Sequence, residues 1–247
     1  MIANDAIAAS IESGDIARAI TRTAGVFRAL NHYREFMEIG DLVFDLGANV
    51  GEHTAVFRAL GARVVAIDPQ PACVRSLERR FEGDDQVTIV PEAVAASPAT
   101  YPMRVGEHHA FSTMSPEWIR AVSASGRFGD LEWPETIEVR GTTLDSLIAE
   151  HGLPAFCKID VEGFEAEVAA GLSRPLPAAS FEFAGEALDG PLACIERFSA
   201  LGPCEFALSA GETMAIGRWS PADEIASRLQ GVAELAWGDV YVRSTES

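Results

Sequence analysis

Lysine is all but missing from this chain. Of its 19 basic residues only Lys158 is a lysine, and 37 Asp and Glu leave a formal charge of −18 over 247 residues. A sequence so short of cations has no reserve for neutralising phosphates and releasing counterions, which excludes nucleic acid as an expected partner. It disfavours an anionic membrane surface for the same reason. Cysteine is scarce too: Cys73, Cys157, Cys194 and Cys204 stand apart, with no CxxC and no histidine at ligand spacing, so neither zinc nor a disulfide framework is indicated. No apolar run reaches the length of a membrane span. The N-terminal stretch carries Asp5, Glu12 and Asp15 and lacks a basic start followed by an apolar segment. The expectation is a soluble, cytoplasmic protein. What the chain has in quantity is apolar: a hydrophobic fraction of 48% builds a sizeable core and is too high for disorder. The length suits one large domain.

The apolar residues change period along the chain. Ile7, Ile11, Ala17, Ile20, Ala24 and Phe27 fall near helical spacing, which predicts a helical extension over residues 1–40, closed by Gly40. From residue 41 to 247, short apolar runs alternate with helical segments. Strands are predicted at 42–46, 63–67, 87–90, 155–159, 179–183, 205–208 and 240–242. Helices are predicted at 51–60, 71–81, 143–151, 163–170 and 189–200. This alternation is the mark of βαβ units and a parallel sheet covered on both faces, a doubly wound α/β fold. Residues 96–141 break the rhythm with Pro98, Pro102, Pro116 and Pro134 and one strand at 136–140, and read as an insertion on the substrate side.

The sharpest local signal is VFDLGANVGEHT, residues 43–54. A buried strand runs into Asp45, then a loop with Gly47 and Gly51, then a helix. Glycines there permit positive φ and let a ligand approach the backbone, while the helix start offers unpaired N–H groups. A dinucleotide fingerprint needs G-x-G-x-x-G and fails here, because Asn49 stands between Gly47 and Gly51 without a middle glycine. A phosphate-binding P-loop fails as well, since no Gly-Lys-Ser/Thr follows. A carboxylate at Asp45 repels a pyrophosphate and attracts an ammonium, so an amino-acid head with a sulfonium fits better. Asp68 closes the next strand, where an acid can accept both hydroxyls of a ribose.

These segments resemble the class I S-adenosylmethionine-dependent methyltransferases and, more narrowly, the FkbM family. The resemblance rests on DLVFDLGANVGEHT, on VVAIDPQP, and above all on GTTLDSLI followed by FCKIDVEGFEAEVAAG. It implies a Rossmann-like, mostly parallel sheet of seven strands with an antiparallel last strand. It further implies that Asp45, Gly47, Asn49 and Gly51 surround the methionyl part of the cofactor, that Thr54 sits near its carboxylate, that Asp68 holds the ribose and that Glu92 contacts the adenine. Two departures stand out: His53 replaces a usual aromatic residue, and Pro91-Glu92 stands where the family often shows an Asn-containing stretch.

Transfer of a methyl group to a hydroxyl needs alignment and a proton acceptor. Ligands in such sheets lie beyond the carboxyl ends of the strands. Asp160, ending FCKID, is the leading catalytic candidate, with Lys158 on the same face two residues earlier. The competing role for Asp160 is a helix N-cap, for Lys158 a strand residue reaching solvent, and for Glu162 a first-turn helix acid. His108 and His109 in the insertion are the other base candidates, of which at most one can face a pocket. Asp160 and Glu182 end successive strands and offer hard oxygen ligands, but nothing in the spacing demands an ion, and no metal is expected. Trp118, Phe128 and Trp133 read as walls of an acceptor pocket or as the insertion's own small core, the second being preferred. The expectation is therefore an S-adenosylmethionine-dependent O-methyltransferase acting on a small-molecule hydroxyl, a secondary metabolite or a saccharide, with a homodimer compatible with the sequence. A catalytically silent cofactor-binding module and a nicotinamide-dependent oxidoreductase are the alternatives.

Overall fold

The structure is a computed structural model and describes residues 15–246. The predicted helical turns around Ile7 and Ile11 lie outside the described residues. Helix α1 (Asp15–Tyr33) is followed by β1 (Leu42–Leu46), α2 (Glu52–Ala59), β2 (Arg63–Ile67), α3 (Pro71–Arg80) and β3 (Val87–Val90). Then come β4 (Ala93–Val94), β5 (Thr100–Val105), α4 (Pro116–Ser125), β6 (Glu135–Thr142), α5 (Leu144–His151) and β7 (Phe156–Ile159). The chain closes with α6 (Glu165–Ala170), β8 (Ala178–Ala184), α7 (Asp189–Leu201), β9 (Cys204–Ala210), α8 (Ala222–Gln230) and β10 (Trp237–Ser244). Seven strands form one sheet in the order β3-β2-β1-β7-β8-β10-β9. All run parallel except β10, which is antiparallel to β8 and β9.

The strands at the centre are apolar on both faces because helices cover both. One face (Phe44, Leu46, Val65, Ile67, Cys157, Ile159, Phe181) packs against Leu144 and Leu147 of α5, Val168 of α6, Ile195 of α7 and Ile225 of α8. The other (Val43, Val64, Phe156, Tyr241) packs against Ala29 and Tyr33 of α1 and Phe57 of α2. The end of α1 is thus built into the core. Burying a phenylalanine such as Phe44, Phe57, Phe156 or Phe181 contributes about 1.5–3 kcal/mol each. The register sets Asp45 beside Lys158 and Lys158 beside Ser180, all on the face that α1 and α2 cover. Hence the same alternation that buries this core carries a row of polar side chains to its upper edge.

The insertion has more order than its prolines suggest. β4, β6 and β5 make a second, three-stranded sheet with β6 in the middle, and Pro102 is tolerated because β5 is an edge strand. Pro116 opens α4 at its first turn, and Ser115 caps it by accepting the Trp118 N–H at 3.1 Å. Trp118 and Trp133 join Val122 in the insertion's own core, whereas Phe128, expected there too, is exposed at its edge. Arg127 ties it to the main sheet through a two-pronged ion pair with Glu186, both N···O distances 2.5 Å. Against the sequence reading, β4, β5, α4 and α8 are additional elements, and the helix expected from residue 163 begins at Glu165.

Candidate active site

The loop after β1 is shaped by contact with its neighbours. Gly47 has φ 75°, and a Cβ there would lie 1.7 Å from the Asp160 carbonyl oxygen. Gly51, φ 81°, caps α2, and a Cβ there would press on Phe81 and Leu77 at 2.7 and 2.8 Å. Both glycines are therefore required by backbone conformation and packing before any ligand is considered. Asn49 also adopts positive φ, 51°, a conformation that Asn accepts more readily than most residues. The result is a loop pulled tightly against the ends of β2 and β7, which leaves a cavity of about 400 Å³ above it.

Asp68 stands at the far side of this loop. It is buried, lines the cavity, and accepts the Asn49 N–H at 2.9 Å and the Gln70 N–H at 2.8 Å. Burial pushes its carboxyl up to about 6, against the opposing pull of those two backbone donors. Each carboxylate oxygen keeps a lone pair for a ligand hydroxyl.

Beneath the cavity lies a charged layer. Asp45 is buried and accepts the Thr54 hydroxyl at 2.5 Å. Lys158, also buried, donates to Asp160 at 2.5 Å. Burial favours the neutral amine, but Asp160, Asp45 and Asp239 outweigh it and raise the Lys158 ammonium above its ordinary value. Burial likewise raises the Asp160 carboxyl, yet the charge and hydrogen bond of Lys158 outweigh that and hold it below 3.8. His53 lines the cavity beside this pair, with Nδ1 3.3 Å from the Tyr33 hydroxyl of α1. Burial, then Lys158, lowers its pKa to about 3, so the imidazole is neutral.

More carboxylates gather where β7 and β8 end. Oxygens of Asp160, Glu162 and Glu182 lie within 4.8 Å of one another. Burial comes first and neighbouring acids second in raising Glu162 and Glu182 well above 4.5, and the same causes bring Glu165 to about 7. Charges of one sign this close disfavour full ionisation of the group.

The insertion forms the opposite wall. Met103, His109, Ala110, Ser112 and Met114 line the cavity. Gln70 Nε2 donates to the His109 carbonyl at 3.1 Å, and Trp133 Nε1 to the Phe111 carbonyl at 2.7 Å. Glu92 lines the cavity and pairs with Arg140 at 2.9 Å.

Of the residues named from sequence, Gly47, Asn49, Asp68, Glu92, His109 and Asp160 come together on the cavity wall. Asp45, Thr54 and Lys158 lie in the layer below, Gly51 turns toward α3, and His108 precedes the turn that carries His109. Asp160 is no helix cap, because α6 begins at Glu165 after Phe164. Glu162 is no first-turn helix acid either, with φ 53° and its side chain on the cavity. His53, Gln70, Met103, Met114 and Glu162 were not assigned to the site from sequence. Gln70, two residues past Asp68 in VVAIDPQP, His53 in the glycine-turn segment and Glu162 beside Asp160 stood within readable motifs, whereas Met103 and Met114 carried no signal.

Residues 45–183, more than half of the chain, match the methyltransferase FkbM domain. No curated protein matches. Among solved structures, a TehB-like SAM-dependent methyltransferase from Corynebacterium glutamicum is 13% identical, with 97% of this chain and 99% of that chain covered and a TM-score of 0.46. The precorrin-6y C5,15-methyltransferase from Geobacter metallireducens is 12% identical, with 87% and 86% covered and a TM-score of 0.46. An rRNA methylase from Streptococcus thermophilus is 10% identical, with 88% and 94% covered and a TM-score of 0.43. Likenesses this distant say nothing about an acceptor. The domain match spans the glycine turn, Asp68 and the KIDVEG segment that together build the cavity, and the chain belongs to the FkbM methyltransferase family, with S-adenosylmethionine as its cofactor.

Proposed function

We propose that the protein transfers the methyl group of S-adenosylmethionine to a hydroxyl of a small molecule, a secondary metabolite or a saccharide. The observation that carries this reading is the shared cavity. A buried carboxylate suited to a ribose, Asp68, and two acids that follow β7, Asp160 and Glu162, line one cavity. The residues fit the cofactor. Asp68 would take the ribose hydroxyls, Gly47 and Asn49 would flank the methionyl part, and Glu92 would lie toward the adenine. The cofactor when bound supplies an electrophilic methyl group on a sulfonium.

The protein's own share is alignment and proton management. A well-oriented acceptor gains up to roughly 7–11 kcal/mol from proximity, and a placed base adds about 10²–10⁴-fold. Lys158 holds Asp160 ionised, which suits a site that receives a cation. The insertion supplies one wall of the cavity through Met103, His109, Ser112 and Met114, and a cavity of about 400 Å³ suits a small acceptor better than a polymer. Incubation with methyl-labelled S-adenosylmethionine and a panel of sugars, polyols, phenols and amines tests the reading. Label recovered in ethers supports it; label recovered only in amines contradicts it.

A further inference from the structure

Asp160 is the residue that strand position favours as the proton acceptor, yet its carboxylate is occupied by Lys158 at 2.5 Å and held ionised, which makes it a weak base. Glu162 stands next to it in a different situation. Its backbone is in the left-handed region at φ 53°, rare for a residue with a side chain. Two contacts fix it there. The Thr113 hydroxyl of the insertion donates to the Glu162 carbonyl at 2.6 Å. The following Gly163, φ 85°, lies so close under Trp118 that a Cβ would come within 2.4 Å of it.

In this conformation Glu162 lines the cavity that Asp68 and Asp160 also line, with a carboxylate oxygen within 4.8 Å of those of Asp160 and Glu182. Among the described residues no hydrogen-bond donor reaches its carboxylate. The groups around it are Lys158 and Asp160 from the end of β7, Glu165 from α6 and Glu182 from β8, with His109 on the same cavity from the insertion.

We propose that Glu162 takes the proton of the methyl acceptor, with Asp160 and Lys158 as the pair that positions the site around it. This rests on the methyl-transfer reading above. The hydroxyl proton passes to a Glu162 carboxylate oxygen while the hydroxyl oxygen bonds to the methyl carbon. The carbon–sulfur bond breaks with its electron pair left on sulfur, so the sulfonium becomes a neutral thioether. Burial and the neighbouring acids raise the Glu162 carboxyl well above 4.5, which makes it the stronger base of the two. The arriving sulfonium favours its ionised form, so the proton leaves when the charged cofactor binds.

That loss can be measured without knowing the acceptor. S-adenosylmethionine and S-adenosylhomocysteine differ by the methyl group and its positive charge. Titration calorimetry at pH 7 in two buffers of different ionisation enthalpy counts the protons released by each. The wild-type protein should release more protons with S-adenosylmethionine than with S-adenosylhomocysteine. In Glu162→Gln the difference should vanish while S-adenosylhomocysteine binds within about threefold of wild type, since only the proton-binding group is removed. Thr113→Val, which frees the backbone clamp, should shrink the difference and serves if the first variant does not fold. Binding of both ligands with no difference in the wild type, or with a difference that survives in Glu162→Gln, would overturn the proposal alone. Failure of either ligand to bind would overturn the cofactor reading and this proposal with it.

Discussion

Replacing Lys158 by methionine removes the cation that faces Asp45, Asp160 and Asp239. Lys158 is 4% exposed, whereas the Asp160 side chain is 35% exposed. Deleting one partner of a buried pair costs about 3–5 kcal/mol, and the partial exposure of Asp160 screens part of that, leaving roughly 2–4 kcal/mol. For a chain of this size each kcal/mol moves the melting temperature by about 2–4 °C, so Lys158→Met should melt roughly 4–16 °C lower at pH 8.

The pH dependence is the sharper part. The raised Lys158 contributes stability that is present below its unfolded value near 10.5 and lost as pH rises through its folded one. The lowered Asp160 contributes stability that is present above 3.8 and lost only as pH falls through its folded value. The wild type therefore keeps the pair between pH 5 and pH 8. In the variant Lys158 no longer opposes burial, so the three carboxyls bind protons more readily and the penalty shrinks toward pH 5. Thermal unfolding of both proteins at pH 5 and pH 8 reads this directly. A loss below about 1 kcal/mol at pH 8, the level of an exposed pair, or equal losses at both values, would refute the reasoning.

Two other outcomes are expected. The wild type should be more stable at pH 5 than at pH 8. Asp68 and Asp239 are raised from 3.8 to about 6 and Glu165 from 4.5 to about 7, so each gives stability present below its unfolded value and lost as pH rises to its folded one, part of that loss falling above pH 5. Each such group is worth about 3 kcal/mol between its limits, at 1.36 kcal/mol per unit, and a melting temperature that rises from pH 5 to pH 8 would contradict this. Gly47→Ala should lose several kcal/mol and cofactor binding together, because its Cβ cannot coexist with the Asp160 carbonyl at 1.7 Å; near-normal urea unfolding would show that the loop can move aside.

The main sheet was legible because its signals are local. Strand apolarity, Gly40 and Gly61 after elements, and Asp45 and Asp68 at strand ends all report on short stretches of chain. The antiparallel last strand came from the family resemblance and not from periodicity. The insertion was less legible, since Pro102 sits in a strand whose edge position no local pattern announces, and Pro116 reads as a breaker where it is the first turn of α4. The site divided along the same line. Strand-end residues such as Asp68 and Asp160 were named from sequence and line the cavity, while the place of Glu162 on that wall depends on a backbone conformation held by Thr113, nearly fifty residues upstream. Gly47 showed its position but not its reason, which is a contact with β7.

The central claim is that the cavity between Asp68 and the acids at the ends of β7 and β8 holds S-adenosylmethionine. The most direct measurement is a calorimetric titration with S-adenosylhomocysteine, repeated with Asp68→Asn and with a nicotinamide dinucleotide. One saturable site in the wild type, weakened by about 10-fold or more in Asp68→Asn through loss of charge-assisted hydrogen bonds worth about 1.5–3 kcal/mol, is the predicted result. No heat with S-adenosylhomocysteine, together with saturable binding of the dinucleotide, would contradict it.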